Sequence, residues 1–327
     1  MRSIAMAEPI LVADIGGTNA RFALIEINES GQLIQRDANR FRAEDFETVR
    51  DAAAAYIETV GDKPKRACFA AAGPISDEGV EFTNSHWRLT HDEIHSALKL
   101  DQFLIVNDFF ALAAGTAHLK AGETIEVKPG VGDASTPTLV IGPGTGLGQA
   151  LIVPTPGGSH IVSTEGGHVS FAPRTEEEIA VMQFIAREHP RVSVERLLSG
   201  RGLVNIHRAL CVIADTPRVA LQADEISAAA LDQSYPIAMQ AVEVFCSVLG
   251  RVAGDAVLST GARAGVLLGG GILPKIQEIF LNSSFVEKFL DKGRMRDYVE
   301  PVPISLITSD GVALYGAAAA LLMENGH

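Results

Sequence analysis

Two glycine-rich turns, each enclosed by apolar stretches, contain the residues of this chain that are best suited to chemistry. The first turn reads Asp-Ile-Gly-Gly-Thr over residues 14–18, and the second reads Gly-Pro-Gly-Thr-Gly-Leu-Gly over residues 142–148. Glycine adopts positive φ angles without strain and lets backbone N–H groups approach an anion closely. Because each turn joins two apolar strands, each is predicted to be a hairpin that holds phosphate oxygens. Two such hairpins predict a duplicated fold that grips one polyphosphate from opposite sides.

Asp14 opens the first turn, and its carboxylate suits a magnesium ion. A carboxylate at this place can hold Mg²⁺, directly or through water, beside the β- and γ-phosphates of a nucleotide. The alternative is an ordinary tight hairpin in which Asp14 accepts hydrogen bonds from backbone N–H groups. The second, matching turn favours the phosphate interpretation.

Asn107 and Asp108 directly follow the apolar stretch over residues 103–106, within a strand that is predicted over residues 103–107. The carboxyl ends of strands in α/β sheets are where binding sites usually lie. Aspartate is also a favoured helix N-cap, and Asp108 precedes a segment that is predicted to be a helix beginning at Phe109. The residues alone favour the cap.

Glu165 and His168 lie three residues apart in a glycine-framed loop, and Glu195 lies in a predicted helix over residues 194–198. A sugar presents neighbouring hydroxyl groups that each donate and accept hydrogen bonds. Two carboxylates that accept from such hydroxyls, with an imidazole and the Asn107 amide as complementary groups, suit this kind of ligand. The alternatives are a metal site at Glu165 and His168, and a solvated carboxylate in the first turn of a helix at Glu195.

The elements that must position these residues follow one order twice, with leading strands and then helices that alternate with strands. In the first half, strands are predicted over residues 10–14, 21–27 and 33–41, followed by a helix over residues 44–60. Dinucleotide-binding and P-loop folds place the glycine turn between a strand and a helix, and this chain does not. A Walker A loop is excluded because the chain contains no Gly-Lys dipeptide. The order therefore predicts an α/β fold of another kind.

Two helices have more specific predictions. Thr90 is predicted to cap the helix that runs to Leu98, with Glu93 as its capping-box partner. The apolar run over residues 312–323 is predicted to be a buried helix, because it is too short to span a bilayer.

Length and composition narrow the possible functions. A chain of 327 residues is expected to form about two domains, because single cores stop growing at roughly 250–300 residues. The 47% of hydrophobic and 20% of charged residues exclude a disordered protein, and the net charge of −13 argues against nucleic acid as a partner. The cysteines Cys68, Cys211 and Cys246 have neither metal-binding nor disulfide spacing and are predicted to be core residues. The residues before the first strand lack the apolar stretch of a signal peptide, which predicts a cytoplasmic protein without a membrane partner.

The order of these features resembles the superfamily of sugar kinases, actin and heat-shock chaperone ATPases. Within it, the chain closely resembles the bacterial ATP-dependent glucokinases, nearly from end to end. The resemblance is carried by five segments: DIGGTNAR at 14–21, NDF at 107–109, GPGTGLG at 142–148, STEGGH at 163–168 and ERLLSG at 195–200.

This resemblance implies a two-domain actin-like ATPase fold of the duplicated ribonuclease-H-like type, with an active-site cleft between the domains. The smaller α/β domain would comprise residues 1–115 and 309–327, and the larger α/β domain would comprise residues 116–308. The family alone also implies a homodimer.

The resemblance further implies an activity, namely the phosphorylation of glucose at its 6-hydroxyl by ATP with Mg²⁺, which yields glucose 6-phosphate and ADP. Asp108 would be the catalytic general base that takes the proton of this hydroxyl. The implied substrate-binding residues are Asn84, Asn107, Asp108, Glu165, His168 and Glu195. The implied nucleotide-binding residues are Ala13, Asp14, Ile15, Gly16, Gly17, Thr18, Gly144, Thr145, Gly146, Gly269 and Gly270. Asp14 would hold Mg²⁺ through water.

Two positions depart from the pattern of the family. Arg201 stands where proline is common, and Ala13 stands where glycine is common. Neither position touches the implied proton transfer, although Ala13 could alter how closely the first turn approaches phosphate.

Three other functions fit parts of the pattern. A kinase of fructose, mannose or N-acetylglucosamine would use similar residues in a pocket of different shape. A non-catalytic sugar or nucleotide sensor is disfavoured, because regulators in neighbouring families carry a helix-turn-helix segment before the first strand, and only nine residues precede Ile10. A chaperone-type ATPase needs a peptide-binding domain, for which the chain has no room.

Overall fold

The computed structural model of the chain describes residues 8–73, 75–76, 78–82, 86–217 and 219–324. The predicted sugar ligand Asn84 lies outside the described residues.

The strands of the described chain belong to two large sheets and one small hairpin. In chain order they are β1 (Ile10–Ile15), β2 (Asn19–Ile27), β3 (Leu33–Arg42), β4 (Arg66–Ala71), β5 (Val80–Glu81), β6 (Arg88–Leu89), β7 (Gln102–Asn107), β8 (Thr124–Lys128), β9 (Thr138–Pro143), β10 (Leu147–Thr155), β11 (Gly158–Thr164), β12 (Gly265–Leu268) and β13 (Ile304–Ile307).

The helices of the described chain cluster in its second half. They are α1 (Val49–Val60), α2 (His91–Leu98), α3 (Asp108–Gly115), α4 (Glu176–Ala186), α5 (Gly200–Ile213), α6 (Ala223–Leu231), α7 (Pro236–Thr260), α8 (Gln277–Asn282), α9 (Phe285–Leu290), α10 (Arg296–Val299) and α11 (Val312–Glu324). Single turns of 3-10 helix occur at Ala43–Asp45, Thr116–His118, Gly166–His168, Val194–Arg196, Leu273–Ile276 and Gly293–Met295. No helix of the described chain is long and apolar enough to cross a membrane.

The chain divides into two compact units. Unit 1 runs up to Ala121 and includes the chain from Ser309 onwards, and unit 2 comprises Gly122–Thr308. The domain limits proposed from the sequence, with a first boundary after residue 115, stay a prediction.

Unit 1 is built on a five-stranded sheet in the order β3-β2-β1-β4-β7. The strands β1, β2 and β3 are antiparallel neighbours, whereas β4 and β7 run parallel to β1. Side chains of a strand alternate between the two faces of its sheet, so both faces of β1 must be covered by other elements. Ala13 belongs to the core cluster that contains Tyr56 of α1, and Val12 belongs to the cluster that contains Leu314 of α11. The predicted burial of the helix near the end of the chain is therefore confirmed.

Unit 2 is built on a six-stranded sheet in the order β11-β10-β9-β12-β13-β8. Its first five strands repeat the pattern of unit 1, with three antiparallel strands followed by two that run parallel to β9. The edge strand β8 is antiparallel to β13. The strand order is thus present twice, as the sequence predicted.

Two predicted helix starts, at residues 44 and 194, and one predicted capping box, at Thr90, differ from the structure. The helix predicted over residues 44–60 begins only at Val49, because the Thr48 side chain accepts a hydrogen bond from the Asp51 N–H and caps it there. The helix α2 begins directly after Thr90 and ends at Leu98, as predicted. The Thr90 hydroxyl, however, contacts the Glu93 carboxylate at 3.5 Å and caps no backbone N–H, so the predicted capping box is not formed.

The second wrong start is at the segment that contains Glu195. The helix predicted over residues 194–198 is a single 3-10 turn, Val194–Arg196, and the α-helix begins at Gly200. The Ser199 side chain accepts from the Gly202 N–H at 3.0 Å and so provides the N-cap.

The three cysteines are confirmed as core residues. Cys68, Cys211 and Cys246 are free thiols and buried. Burial raises the pKa of the Cys68 thiol and raises the pKa of Cys246 to about 12. Both thiols are therefore protonated and unreactive at neutral pH.

Candidate active site

The parallel strands β1, β4 and β7 end at one edge of the sheet of unit 1, and Asp14 and Asp108 both lie at this edge. In the strand register, Asp14 lies level with Ala70 of β4, which in turn lies level with Val106 of β7. Asn107 is the last residue of β7, and Asp108 follows it directly. Neighbouring strands are about 4.8 Å apart, so the β1 and β7 backbones at this level are separated by about 10 Å. Asp14 and Asp108 thus lie at the same edge of the sheet, two interstrand spacings apart, with the end of β4 between them.

The first turn is closed by its own backbone. The Gly16 N–H donates to the Asn19 carbonyl at 2.9 Å, and the Thr18 carbonyl accepts from the Ala43 N–H at 2.8 Å. Thr18 is exposed at the tip of the turn. A Cβ added to Gly16 would meet only the Asn19 carbonyl oxygen, at an ordinary 3.7 Å, so this turn is not crowded.

The pKa of the Asp14 carboxyl is raised above its usual value, chiefly by burial, although charged side chains also lie nearby. Burial raises the pKa of the Asp14 carboxyl, whereas the nearby Arg21 and Arg40 lower it, and Asp310 raises it. Arg21 stands directly opposite Asp14 on β2, and one of its terminal nitrogens contacts the Asp310 carboxylate at 2.9 Å. The other terminal nitrogen of Arg21 contacts the Asp310 carbonyl.

The donor set at Asp14 fits a magnesium ion that is shared with phosphate. Among the described residues, no group of three or more His, Cys, Asp and Glu side chains could hold a metal ion. Mg²⁺ is commonly held by one or two carboxylates together with phosphate oxygens and water, so a single half-buried carboxylate is sufficient. A cation beside Asp14 would also offset the cost of burying its charge.

Ala13 and Ile15, which were predicted to contact the nucleotide, lie within the sheet. Their side chains are fully buried, and β1 pairs with β2 on one side and with β4 on the other. Either residue could contact a ligand only through its backbone.

The roles of Asn107 and Asp108 at the start of α3 differ from those favoured by the residues alone. Asn107 is the N-cap, and its Oδ1 accepts from the N–H groups of Phe109 at 2.9 Å and Phe110 at 3.1 Å. Asp108 is the first helical residue, and its Oδ1 accepts from the Phe109 N–H at 2.9 Å. The prediction of an Asp108 cap before a helix at Phe109 is therefore wrong. A carboxylate in the first turn of a helix interacts favourably with the positive end of the helix dipole.

The second turn, in unit 2, is crowded by backbone. A Cβ added to Gly142 would lie closer than 3.0 Å to the Gly269 carbonyl group, and one added to Gly270 would lie closer than 3.0 Å to the Pro143 carbonyl group. Gly270 also has a φ of +83°, which disfavours any other residue. The Gly269 N–H donates to the Ile141 carbonyl at 2.9 Å. The structure thus brings Gly269 and Gly270 against the second turn.

The tip of the second turn is open. The Gly144 N–H donates to the Gly146 carbonyl at 2.7 Å, and Thr145 is exposed between them. A Cβ added to Gly144 would meet no atom within 4 Å. The turn therefore combines a tightly packed base with room for a ligand at its tip.

The loop with Glu165 and His168 packs on β10, next to the second turn. A Cβ on Gly166 would collide with the Gln149 side chain, and one on Gly167 would collide with the Leu147 carbonyl. The His168 Nε2 lies 3.7 Å from the Glu165 Oε2, and both side chains are exposed. The two residues therefore present their polar groups together from a loop that is fixed by backbone packing.

Glu195 joins this loop to the second turn. The Val194 N–H donates to the Val169 carbonyl at 2.9 Å, which holds the Glu195 segment beside the loop. The Glu195 Oε2 accepts from the Leu147 N–H at 2.9 Å. Sequence reasoning placed Glu195 among the sugar ligands and missed this contact with the second turn.

The structure thus gathers the predicted site residues in two sets, one within each unit. The set in unit 1 comprises Ala13, Asp14, Ile15, Gly16, Gly17, Thr18, Asn107 and Asp108. The set in unit 2 comprises Gly144, Thr145, Gly146, Glu165, His168, Glu195, Gly269 and Gly270. Trp87, the lone tryptophan, is buried and donates its Nε1–H to the Phe46 carbonyl at 3.0 Å, so it is a packing residue.

Comparisons with known proteins connect this geometry with a family. The family model described as Glucokinase matches residues 11–324. A glucokinase of Hahella chejuensis is 41% identical over 326 residues, which cover 99% of this chain and 100% of the relative. A glucokinase of Saccharophagus degradans is 39% identical over 315 residues, which cover 96% of this chain and 98% of the relative.

A solved structure extends the similarity to the fold. The crystal structure of glucokinase from an Antarctic psychrotroph matches with a TM-score of 0.82 at 38% identity, over 97% of this chain and 99% of the other. This match confirms the predicted α/β fold of the actin-like ATPase type. Because the family model and the relatives match nearly from end to end, the chain belongs to the glucokinase family.

Proposed function

We infer that the protein transfers the γ-phosphoryl group of ATP to glucose, the activity indicated by its family. The structural observation that supports this most directly is the sheet edge of unit 1, where Asp14 and Asp108 lie two interstrand spacings apart at the ends of parallel strands. The test combines purified protein, ATP, Mg²⁺ and glucose, and measures glucose 6-phosphate and ADP in equal amounts. An incubation without glucose controls for ATP hydrolysis. Turnover of fructose, mannose or N-acetylglucosamine as fast as that of glucose would contradict the inference.

We propose that Asp108 is the general base. Its carboxylate accepts the proton of the sugar 6-hydroxyl while the hydroxyl oxygen forms a bond to the γ-phosphorus. The bond from that phosphorus to the β–γ bridging oxygen breaks, and ADP leaves with the electron pair. The Phe109 N–H and the Asn107 cap support this role because they fix the carboxylate at the start of α3. A positioned base of this kind contributes about 10²–10⁴-fold to the rate.

We propose that the two turns bind the phosphates of ATP mainly through backbone N–H groups. Gly16 and Gly144 use their own N–H groups to close the turns, so Gly17, Thr18, Thr145 and Gly146 are the proposed phosphate donors. Gly269 and Gly270 contribute bare backbone beside the second turn. Asp14 would hold Mg²⁺, which when bound neutralises charge on the β- and γ-phosphates.

We propose that glucose is bound by Asn107, Asp108, Glu165, His168 and Glu195. The Asn107 Oδ1 is engaged in the helix cap, so its Nδ2 group is the part that donates to a sugar oxygen. The Glu165 and Glu195 carboxylates accept from sugar hydroxyls, and such polar contacts discriminate strongly against a sugar that lacks a hydroxyl. The role of Asn84 in the same site stays a prediction.

We propose a homodimer in the cytoplasm, on the resemblance to the family. Light scattering of the purified protein tests the oligomeric state, and fractionation of the source cells tests the location.

A further inference from the structure

Glu195 makes a contact that a sugar ligand does not need. Its Oε2 accepts a hydrogen bond of 2.9 Å from the Leu147 N–H, and Leu147 is the first residue of β10, directly after the second turn. A hydrogen bond between a backbone N–H and a carboxylate is among the stronger ones in proteins. This contact fixes the end of the turn from which Thr145 and Gly146 are proposed to donate to phosphate.

Gly146 has no side chain, and this leaves room for the Glu195 carboxylate. A Cβ added to Gly146 would collide with the Glu195 Oε2, and the three atoms nearest to this Cβ all belong to the Glu195 side chain. The turn therefore has a glycine at the place where the Glu195 side chain crosses it.

A second route runs from the Glu195 backbone to the same turn. The Ser199 hydroxyl donates to the Glu195 carbonyl at 2.9 Å, and Ser199 caps α5. The first residue of α5, Gly200, donates its N–H to the Gly144 carbonyl at 2.9 Å. Glu195 is thus linked to both ends of the turn, by its side chain at Leu147 and through Ser199 and Gly200 at Gly144.

We propose that Glu195, besides binding glucose, is a positioning residue that holds the second turn in its phosphate-binding conformation. One carboxylate oxygen, Oε2, is bound to the turn, and the other, Oε1, is the one that receives a sugar hydroxyl. Glucose and ATP then act on the same side chain, and any effect of one on the binding of the other must be reciprocal. This inference rests on the proposed function, because it takes the second turn to be a phosphate site.

The test is the affinity for a non-hydrolysable ATP analogue with Mg²⁺ in the absence of glucose, measured by calorimetry. Loss of one charged hydrogen bond to the turn is expected to raise the dissociation constant of the analogue about tenfold in Glu195→Ala. Glu195→Gln keeps an oxygen that can accept from Leu147, so its dissociation constant is expected to rise less. Glu165→Ala is the matched control, because Glu165 is an exposed sugar ligand without this bond to the turn, and its analogue affinity is expected to equal that of the wild type.

Gly146→Ala gives an independent variant that leaves Glu195 in place. The added methyl displaces only the end of a flexible side chain, so the fold is retained while the carboxylate leaves Leu147. Weaker analogue binding is expected, and the double variant with Glu195→Ala is expected to lose less than the sum of the two.

The outcomes separate the two proposals. Wild-type analogue affinity in both Glu195→Ala and Gly146→Ala, with weakened glucose binding in Glu195→Ala, would overturn the positioning role and leave the proposed function standing. Unchanged affinity for both glucose and the analogue in Glu195→Ala would overturn the positioning role and the proposed sugar contact of Glu195, whereas the proposed function itself fails only if the wild type forms no glucose 6-phosphate. An equal loss of analogue affinity in Glu165→Ala and Glu195→Ala would also overturn the positioning role, since Glu165 lacks the bond to the turn.

Discussion

The two glycine turns have similar sequences and are held in different ways. The first turn has an uncrowded Gly16, and its surroundings are set by charged side chains, with Asp14 opposite Arg21 and Arg21 bound to Asp310. At the second turn, Gly142 and Gly270, which packs against the turn from the end of β12, lie against carbonyl groups that exclude a Cβ. The first turn is thus surrounded by charged side chains, whereas the second turn is surrounded by closely packed backbone.

The difference matches the parts that the two turns play in the proposed function. A carboxylate that holds a cation needs partners that adjust its charge, and Arg21 and Arg40 provide them for Asp14. A loop that offers N–H groups to phosphate needs a fixed backbone. Close packing of glycine backbone fixes the loop without the loss of entropy that ordering long side chains would cause. The same strand–turn–strand pattern thus serves two physical tasks.

The largest expected effect concerns the charged edge of unit 1. Asp108→Asn is expected to lower kcat by about 10²–10⁴-fold, because it removes the proposed proton acceptor. The asparagine Oδ1 can still accept from the Phe109 N–H, so the start of α3 and the affinity for glucose should be retained. Initial rates and glucose titration calorimetry measure the two quantities. A variant that turns over glucose at the wild-type rate would remove Asp108 from the role of base.

The next effect compares the turns directly. Gly142→Ala is expected to lower the free energy of unfolding by about 1–3 kcal/mol or more, because the new methyl collides with backbone that cannot move aside. Gly16→Ala is expected to change it by less than about 0.5 kcal/mol, since the added methyl makes an ordinary contact. Urea unfolding of both variants measures the difference.

Gly144→Ala is the control within the second turn. Its methyl meets no atom within 4 Å, so the fold should be unaffected while the KM for ATP rises. Equal losses of stability in Gly16→Ala and Gly142→Ala would show that the two turns do not differ in the way described.

Local patterns predicted much of this architecture. The order of strands and helices, the two hairpins and the buried helix after Gly311 follow from the spacing of apolar residues and glycines over short stretches. The start of α3 was predicted one residue too late, with Asp108 as the cap. Asparagine and aspartate are equally good caps, so only the folded backbone decides that Asn107 takes the role.

The contacts that distinguish the turns could not be read from the sequence. Arg21 and Asp310 are 289 residues apart, and Leu147 and Glu195 are 48 residues apart. The glutamate at position 195 does not reveal in the sequence whether its carboxylate faces solvent, a sugar or a backbone N–H. Such contacts depend on the tertiary fold, for which a single sequence has no local signal.

A smaller effect concerns the core behind the second turn. His207 of α5 is buried, burial lowers its pKa, and its Nδ1 has no hydrogen-bond partner among the described residues. The groups that face it are the Cys211 thiol, at 3.8 Å from Nε2, and the Tyr235 ring. The unfolded state binds the proton of His207 more tightly than the folded state does. The contribution of His207 to the free energy of unfolding should therefore be constant above about pH 6.5 and fall as the pH drops below it.

Unfolding at about pH 7.5 and about pH 5.5 checks this expectation. His207→Leu should lose less stability between the two values than the wild type does. The exposed His160 serves as the control, and His160→Asn should lose as much as the wild type. An equal loss in all three proteins would show that His207 does not set the acid sensitivity of unit 2.

The smallest expected effect concerns the ion pair beside the first turn. Asp310 is 83% exposed and Arg21 is 23% exposed, so water screens their interaction strongly. A double-mutant cycle of Arg21→Gln and Asp310→Asn is therefore expected to give a coupling free energy below about 1 kcal/mol, smaller still at high salt. Yet Arg21→Gln alone should raise the KM for ATP more than Asp310→Asn does, because Arg21 also stands opposite Asp14. Equal KM values in the two single variants would mean that Arg21 acts only through Asp310. The charge of Arg21 would then have no direct effect on Asp14, and the proposed difference between the two turns would be smaller.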